Sequence, residues 1–206
     1  MSFYRLFGKR VFDLAVAVPA CAVAAPVVIA AAVGVRATMG APAFYVADRP
    51  GLHGKPFRFF KLRTMRQATD VSGRPLPDDE RLTSFGKALR AASIDELPQL
   101  LHVLTGEMSL VGPRPLLMHY RERYSAEQAR RHDVKPGITG QAQVNGRNAL
   151  SWDDKFRFDV WYVDHLSFAL DLVILAKTLL KVLDKSGITA GQHATMPEFT
   201  GSSSSS

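Results

Sequence analysis

Residues Leu14 to Val35, LAVAVPACAVAAPVVIAAAVGV, run for 22 residues without a charge. As one helix the stretch rises about 33 Å, close to the thickness of a bilayer's hydrocarbon core. Any fold for this chain must first find a place for it. A cleaved signal peptide would use Lys9 and Arg10 as its basic end and the small residues Ala22 to Ala25 as its cleavage site. Asp13 at the entrance and the length of the run count against that. A single crossing fits by length, but cations flank both ends: Arg5, Lys9 and Arg10 before, Arg36, Arg49 and Lys55 after. Such clusters belong on the cytoplasmic side. A segment with both ends there must enter the bilayer and return, and Pro19 and Pro26 each remove an N–H that a continuous helix uses. The expectation is a re-entrant helical hairpin, with residues 1–36 as a membrane anchor. A buried core helix is the competing structural reading.

The 206 residues allow one medium domain besides this anchor, and residues 37–190 are expected to form it. Net charge is +7, which points to an anionic partner: nucleic acid, an acidic membrane surface or a phosphorylated substrate. Cys21 is the sole cysteine, so no internal disulfide can form. The six histidines are scattered without zinc-ligand spacing, so a metal here would be a hard cation on oxygen ligands.

Beyond the anchor, FYVADRPGLHGKPFRFFKLRTM reads as short strands and turns punctuated by Pro50, Gly51 and Gly54. If extended, it places Phe57, Phe59, Lys61 and Arg63 on one face. Gln67 to Asp79 is a polar loop, and ERLTSFGKALRAA an amphipathic helix that ends on Arg90. Leu97, Leu100, Leu101 and Leu104 keep helical spacing, with Gly106 as a C-terminal cap. Ser125 with Gln128 forms a capping box, KPGITGQAQVNGRN suggests loops and short strands, and Ser151 starts a helix that runs towards His165. From Leu170 the chain is aliphatic, with Lys177, Lys181 and Lys185 along one face. That pattern fits either a helix in a membrane interface or a core helix with one solvated stripe. Residues 191–206 read as a disordered tail, partly of vector origin.

SIDELPQL, residues 93–100, sets Asp95 and Glu96 side by side. Ser93 and Glu96 have the spacing of a capping box, and acidic residues in a first turn complement the helix dipole. Adjacent carboxylates on a helix diverge by about 100° and cannot face each other across a substrate. One can attack while its neighbour binds a metal or positions a group. A helix start attracts phosphate oxygens, and its dipole would keep Asp95 ionised as a nucleophile. An anion attacking a phosphate needs cations beside it, and Lys61, Arg63, Arg90, Arg114 and Arg147 are the candidates. Arg114 lies in GPRP between two prolines that restrict its backbone. Walker A and dinucleotide-binding fingerprints are absent from the sequence.

KLRTM, LRAASIDELPQLLHVLTGEMSLVGPRPL and KPGITGQAQVNGRN, in that order behind a proline-broken apolar segment, resemble the bacterial sugar transferases. Within them the chain looks like a small monotopic polyprenyl-phosphate phosphoglycosyl transferase, without the extra transmembrane helices and domain that larger members carry. The resemblance covers roughly Lys9 to Lys185. It implies a helix-rich α/β fold: a single compact catalytic domain, a re-entrant membrane helix and interfacial amphipathic helices. It implies transfer of a sugar phosphate from a UDP-sugar to undecaprenyl phosphate, with release of UMP, at the cytoplasmic face of the bacterial inner membrane among its phospholipids. It assigns Asp95 as nucleophile of a ping-pong scheme and places Mg²⁺ at Asp95 and Glu96. Lys61, Arg90, Arg114 and Arg147 become the phosphate-gripping cations. Where the family breaks its re-entrant helix at Ser-Pro, this chain has Ala25-Pro26. Two rival classes remain: a non-catalytic membrane-anchored binder, which gives no reason for the Asp-Glu pair, and a nucleic-acid-binding domain, for which no reading motif is present.

Overall fold

A computed structural model describes residues 3–146, 149–183 and 198–201. A turn of wide helix at Tyr4–Gly8 leads into α1, Lys9–Met39. This helix runs unbroken through Pro19 and Pro26, which both lie on its exposed side, so the expected break of a re-entrant hairpin does not appear at either proline. At 31 residues it is about 46 Å long. One stripe is buried along the whole length: Lys9, Asp13, Ala17, Ala24, Ala31 and Val35. Three of these are alanines seven residues apart, so the stripe stays shallow enough for the helix to lie close on the domain. The opposite face leaves Val11, Val18, Val23, Ile29 and Val33 exposed.

Both ends of α1 are fastened to the same body. Near the start, Arg10 donates to the carbonyls of Val103 and Leu104, and Asp13 accepts from Ser109 Oγ at 3.0 Å and Leu110 N at 3.1 Å. Near the end, the tip of the Phe85 ring comes within 2.6 Å of where a Cβ on Gly34 would lie, so a larger residue there would have to displace the ring. Arg63, buried after β2, donates to the carbonyls of Met39, Gly40 and Ala41. Those carbonyls lie at and just past the helix end and lack intrahelical partners, so Arg63 caps α1.

Strands β1, Phe44–Pro50, and β2, Pro56–Leu62, form an antiparallel hairpin. As the alternation predicts, Phe57, Phe59 and Lys61 share its inner face. After an exposed loop and one helical turn at Asp78–Arg81 comes α2, Ser84–Ala91, capped by the Thr83 side chain at Gly86 N. The expected single helix is thus interrupted at Leu82, which pairs with Met65. Helix α3, Leu100–Thr105, ends at Gly106, whose φ of 88° makes it the expected cap. Two short parallel strands follow, β3 at Ser109–Val111 and β4 at Gly137–Thr139. QAQVN, expected to be loop or strand, forms the short helix α4, Gln141–Asn145. Ser125 and Ser151 cap their helical segments as the sequence suggests. Helix α5 covers Trp152–His165 and α6 covers Phe168–Leu183.

On α6, Asp171 and Ile174 are buried, whereas Leu172, Val173, Leu179 and Leu180 stand exposed as a second apolar face. Lys177 flanks that face, and Lys185 lies outside the described residues. Lys181 is half-buried, and the exposed apolar face is the feature an interfacial helix would use. Phe168 at its start meets Phe12 of α1, so the two exposed apolar faces adjoin. The tail departs in part from expectation. Glu198–Gly201 docks on the domain, with Phe199 2% exposed among Tyr120, Tyr124, Trp152 and Phe156.

Asp171, fully buried, joins the two apolar helices. It pairs with Lys9 Nζ at 2.7 Å and accepts from Tyr4 at 2.6 Å and Tyr162 at 2.7 Å. Removing one partner of a buried pair strands the other charge and costs about 3–5 kcal/mol, whereas replacing both with apolar residues is often near neutral. Asp171→Ala should therefore lower stability by that order in denaturant unfolding, and Lys9→Met with Tyr4→Phe and Asp171→Leu should recover most of the loss, since the Tyr162 hydroxyl keeps the Val111 carbonyl.

Candidate active site

The Asp95–Glu96 pair sits on a tight 3₁₀ segment, Ile94–Gln99, not on the first turn of an α-helix. The expected capping box is not formed. Ser93 has φ 54° and ψ 20°, in the left-handed region, and its side chain caps nothing. Backbone bonds make the turn instead: Ser93 N donates to Arg90 O at 3.0 Å and Glu96 N to Ser93 O at 3.2 Å. A non-glycine residue held there stores about 1–3 kcal/mol of strain, a cost that persists only where neighbouring structure enforces it. The segment that follows Ser93 is packed against β2, α1 and α2.

Asp95 is 3% exposed. Lys61, on the inner face of β2, puts its Nζ 3.8 Å from Asp95 Oδ2. Arg114 forms a close hydrogen-bonded ion pair with Glu96 Oε1. Arg90 donates from Nε to Thr64 Oγ1 at 3.0 Å, near enough for its charge to act on Asp95. Three of the five candidate cations thus converge on the pair. Arg147, with Asn148, lies outside the described residues. Arg63, also expected among them, is engaged in capping α1 and does not face the site.

Burial pushes the Asp95 carboxyl above the usual carboxylate range and the Glu96 charge adds to this; Lys61, Arg90 and Arg114 work against the shift without cancelling it. This reverses the expectation from the helix dipole. A single 3₁₀ turn has little dipole, and desolvation with a like charge next door outweighs it. The same burial holds the Lys61 ammonium below its ordinary value, while Glu96 holds the Arg114 guanidinium above its own.

The scaffold explains why these groups meet. A Cβ on Gly86 would lie 1.9 Å from Thr64 O, so α2 packs backbone to backbone against the end of the hairpin and brings Arg90 to Thr64. A Cβ on Gly112 would lie 2.4 Å from Lys135 O, which fixes the start of GPRP against the KPGITG segment. The Arg114 carbonyl accepts from Arg131 Nη2 at 2.8 Å, and Arg131 is itself buried and paired with Asp159 at 2.7 Å. The Arg131–Asp159 support escaped sequence reading. Its signal was there to find: Asp159 falls on the face of α5 that carries Phe156 and Val163, where a charge needs a partner. The cavity lined by Phe44, Val46, Arg58 and Phe60 opens on the other face of the hairpin from Lys61 and takes no part.

A buried carboxylate backed by a second acid and ringed by cations can bind a diphosphate and attack phosphorus. Asp95 and Glu96 also suit Mg²⁺, being hard oxygen donors. Among the described residues no group of three or more His, Cys, Asp or Glu side chains could hold a metal. A magnesium ion at the pair would therefore take its remaining ligands from water and substrate phosphates.

Comparison with known proteins agrees with this chemistry. The family model described as bacterial sugar transferase matches residues 4–185. The chain is 55% identical over 194 residues to the uncharacterized sugar transferase EpsL of Bacillus subtilis, covering 94% of this chain and 96% of that one. It is 42% identical to the UDP-glucose:undecaprenyl-phosphate glucose-1-phosphate transferase of Caulobacter vibrioides, over 85% of this chain and 69% of the relative. Against the undecaprenyl-phosphate galactose phosphotransferase of Salmonella typhimurium, identity is 38% over 88% of this chain but only 41% of the relative, so the chain spans less than half of that protein. With a match over nearly its whole length and its Asp95–Glu96 pair set among converging cations, the chain belongs to the bacterial sugar transferase family.

Proposed function

We propose that this chain transfers a sugar-1-phosphate from a UDP-sugar to undecaprenyl phosphate, giving polyprenyl-diphospho-sugar and UMP as the first membrane step of glycoconjugate synthesis. The observation that carries the reading is the buried Asp95 carboxylate with Lys61, Arg90 and Arg114 gathered around it and Glu96. In the first half-reaction an Asp95 oxygen bonds to the sugar-bearing phosphorus. The bond from that phosphorus to the bridging oxygen breaks, and UMP leaves with the electron pair. In the second half a polyprenyl phosphate oxygen attacks the same phosphorus and frees the Asp95 carboxylate. Lys61 and Arg90 lie beside the attacking carboxylate and offset its repulsion from phosphate oxygens. Arg114, steered by Glu96 and by the Arg131 contact at its carbonyl, presents its guanidinium to the diphosphate. Arg147 completes the cation set by its place in the family motif. Mg²⁺ held by Asp95 and Glu96 would supply further neutralisation of diphosphate charge.

A lipid acceptor requires the site to lie at a membrane. Supporting this, the outer face of α1 and the face of α6 carrying Leu172, Val173, Leu179 and Leu180 are apolar and exposed, and the two helices touch at Phe12 and Phe168. Both ends of α1 are tied to one body, which favours a monotopic enzyme on the cytoplasmic face over a crossing helix. With Cys21 replaced by serine, cysteines placed at Phe3 and Ala37 should react with an impermeant reagent from the same side of the membrane. Reaction from opposite sides would exclude the monotopic arrangement.

Asp95→Asn should abolish UMP release from UDP-sugar, Mg²⁺ and polyprenyl phosphate, with the fold retained. Normal turnover in that variant would remove Asp95 from the nucleophile's role. The variant should also unfold at a higher temperature in chelator. The sign follows from linkage: a carboxyl whose folded-state pKa is raised binds more protons folded than unfolded, so stability falls as pH climbs from the unfolded value, about 3.9, through the raised one. Above the raised pKa that loss is complete, and asparagine avoids it. Added Mg²⁺ should then raise the unfolding temperature of the unsubstituted chain more than that of Asp95→Asn.

A further inference from the structure

The buried cations that surround the site have partners that account for them. Lys61 has Asp95, Arg114 has Glu96, Arg131 has Asp159, and Arg63 has three carbonyls. Arg49 differs. It lies on β1 in register with Phe57, so it shares the inner face of the hairpin with Phe59 and Lys61. Its guanidinium lies over the Phe59 ring, 5.8 Å from the centroid. Its Nε is buried without a hydrogen-bond acceptor, and among the described residues it forms no ion pair. β1 also packs against the turns Met118–Arg123, into which the GPRP loop runs.

Partly burying one guanidinium within reach of another, with no carboxylate for it, costs free energy that an arriving anion offsets. Burial depresses the Arg49 pKa; Tyr45, its hydrogen-bonding neighbour on the same face, opposes this, and the Arg114 charge deepens it. Arg114 has Glu96, whereas Arg49 has no carboxylate of its own among the described residues, so an anion beside Arg49 supplies the missing charge. Position along the strand says which part of the ligand. The attacked phosphorus must lie beside Asp95, next to Lys61. Same-face residues are about 6.6 Å apart along a strand, so a guanidinium over Phe59 reaches one group farther towards the hairpin tip.

We infer that Arg49 is a further phosphate-binding residue of this site, holding, together with Arg114, the phosphate that departs with the nucleoside. The inference rests on the transferase reading above. It places Arg49 on the leaving group, where charge builds as the phosphorus–oxygen bond breaks, and stacking on Phe59 keeps its fork rigid for two-point contact.

The test is titration of UMP, with uridine as the control, into the full chain, Arg49→Gln and Arg49→Lys, alongside thermal unfolding of each. A lost charge-assisted hydrogen bond to phosphate weakens binding by about 10- to 100-fold. Arg49→Gln should lose UMP affinity by that factor with uridine unaffected, and Arg49→Lys should recover part of it. In turnover, kcat/KM for the UDP-sugar should fall by a similar factor while kcat/KM for the polyprenyl phosphate stays unchanged. A residue that only supports the hairpin would lower both together. UMP binding to Arg49→Gln and Arg49→Lys equal to that of the unsubstituted chain would overturn the inference and leave the transferase reading standing. Failure of the unsubstituted chain to bind UMP would overturn both.

Discussion

The buried carboxylate of Asp171 holds three elements at one point: the ammonium of Lys9 at the start of α1, the hydroxyl of Tyr4 just before it, and the hydroxyl of Tyr162 on α5. Asp171 itself belongs to α6. A charge this deep tolerates few arrangements, because each unpaired oxygen would carry its full desolvation penalty. The network therefore sets the angle and register at which the two apolar helices meet. Their apolar faces meet where Phe12 touches Phe168. The proposed access of a soluble donor and a lipid acceptor to one carboxylate rests on that alignment.

From this frame the site is assembled by close backbone approaches and borrowed supports. Gly86 lets α2 touch the hairpin, Gly112 lets GPRP touch the strand loop opposite, and Arg131 reaches from a separate turn to the Arg114 carbonyl. The left-handed Ser93 then turns the chain sharply enough for Asp95 to face Lys61 while Glu96 faces Arg114. The two adjacent carboxylates thereby acquire different neighbours and different tasks. Asp95, desolvated and close to a like charge, is a high-energy anion in the folded chain. In the proposed mechanism that energy is released as Asp95 bonds to the substrate phosphorus.

Local signals in the sequence carried over where they depend on a few neighbouring residues. Ser125 and Ser151 cap their helices, Gly106 closes α3, and alternation puts Lys61 with Phe59. The Ser93–Glu96 spacing misled because a capping box requires Ser93 in extended conformation, and tertiary packing holds it left-handed. Arg63 lies two residues from Lys61, yet its partners are carbonyls about 23 residues away in sequence, which no local pattern reveals. QAQVN reads as loop between glycines, but Val144 is buried and helix α4 packs on α5. Phe199 lies in a low-complexity neighbourhood, and its burial depends on an aromatic cluster drawn from two distant segments. The candidate site was more legible than its supports. Its chemistry lies in short runs, SIDELPQL and GPRP, while the supports are long-range pairs.

The central claim is a bond to Asp95. Incubating the chain with Mg²⁺ and a UDP-sugar it turns over, without polyprenyl phosphate, and measuring intact mass and then the peptide that contains residues 93–100 tests this directly. The expected result is a mass gain of one sugar phosphate on Asp95, matched by UMP release and discharged when polyprenyl phosphate is added. Turnover with acceptor present, but no UMP and no adduct in its absence under rapid quenching, would contradict a covalent intermediate and with it the role assigned to this site.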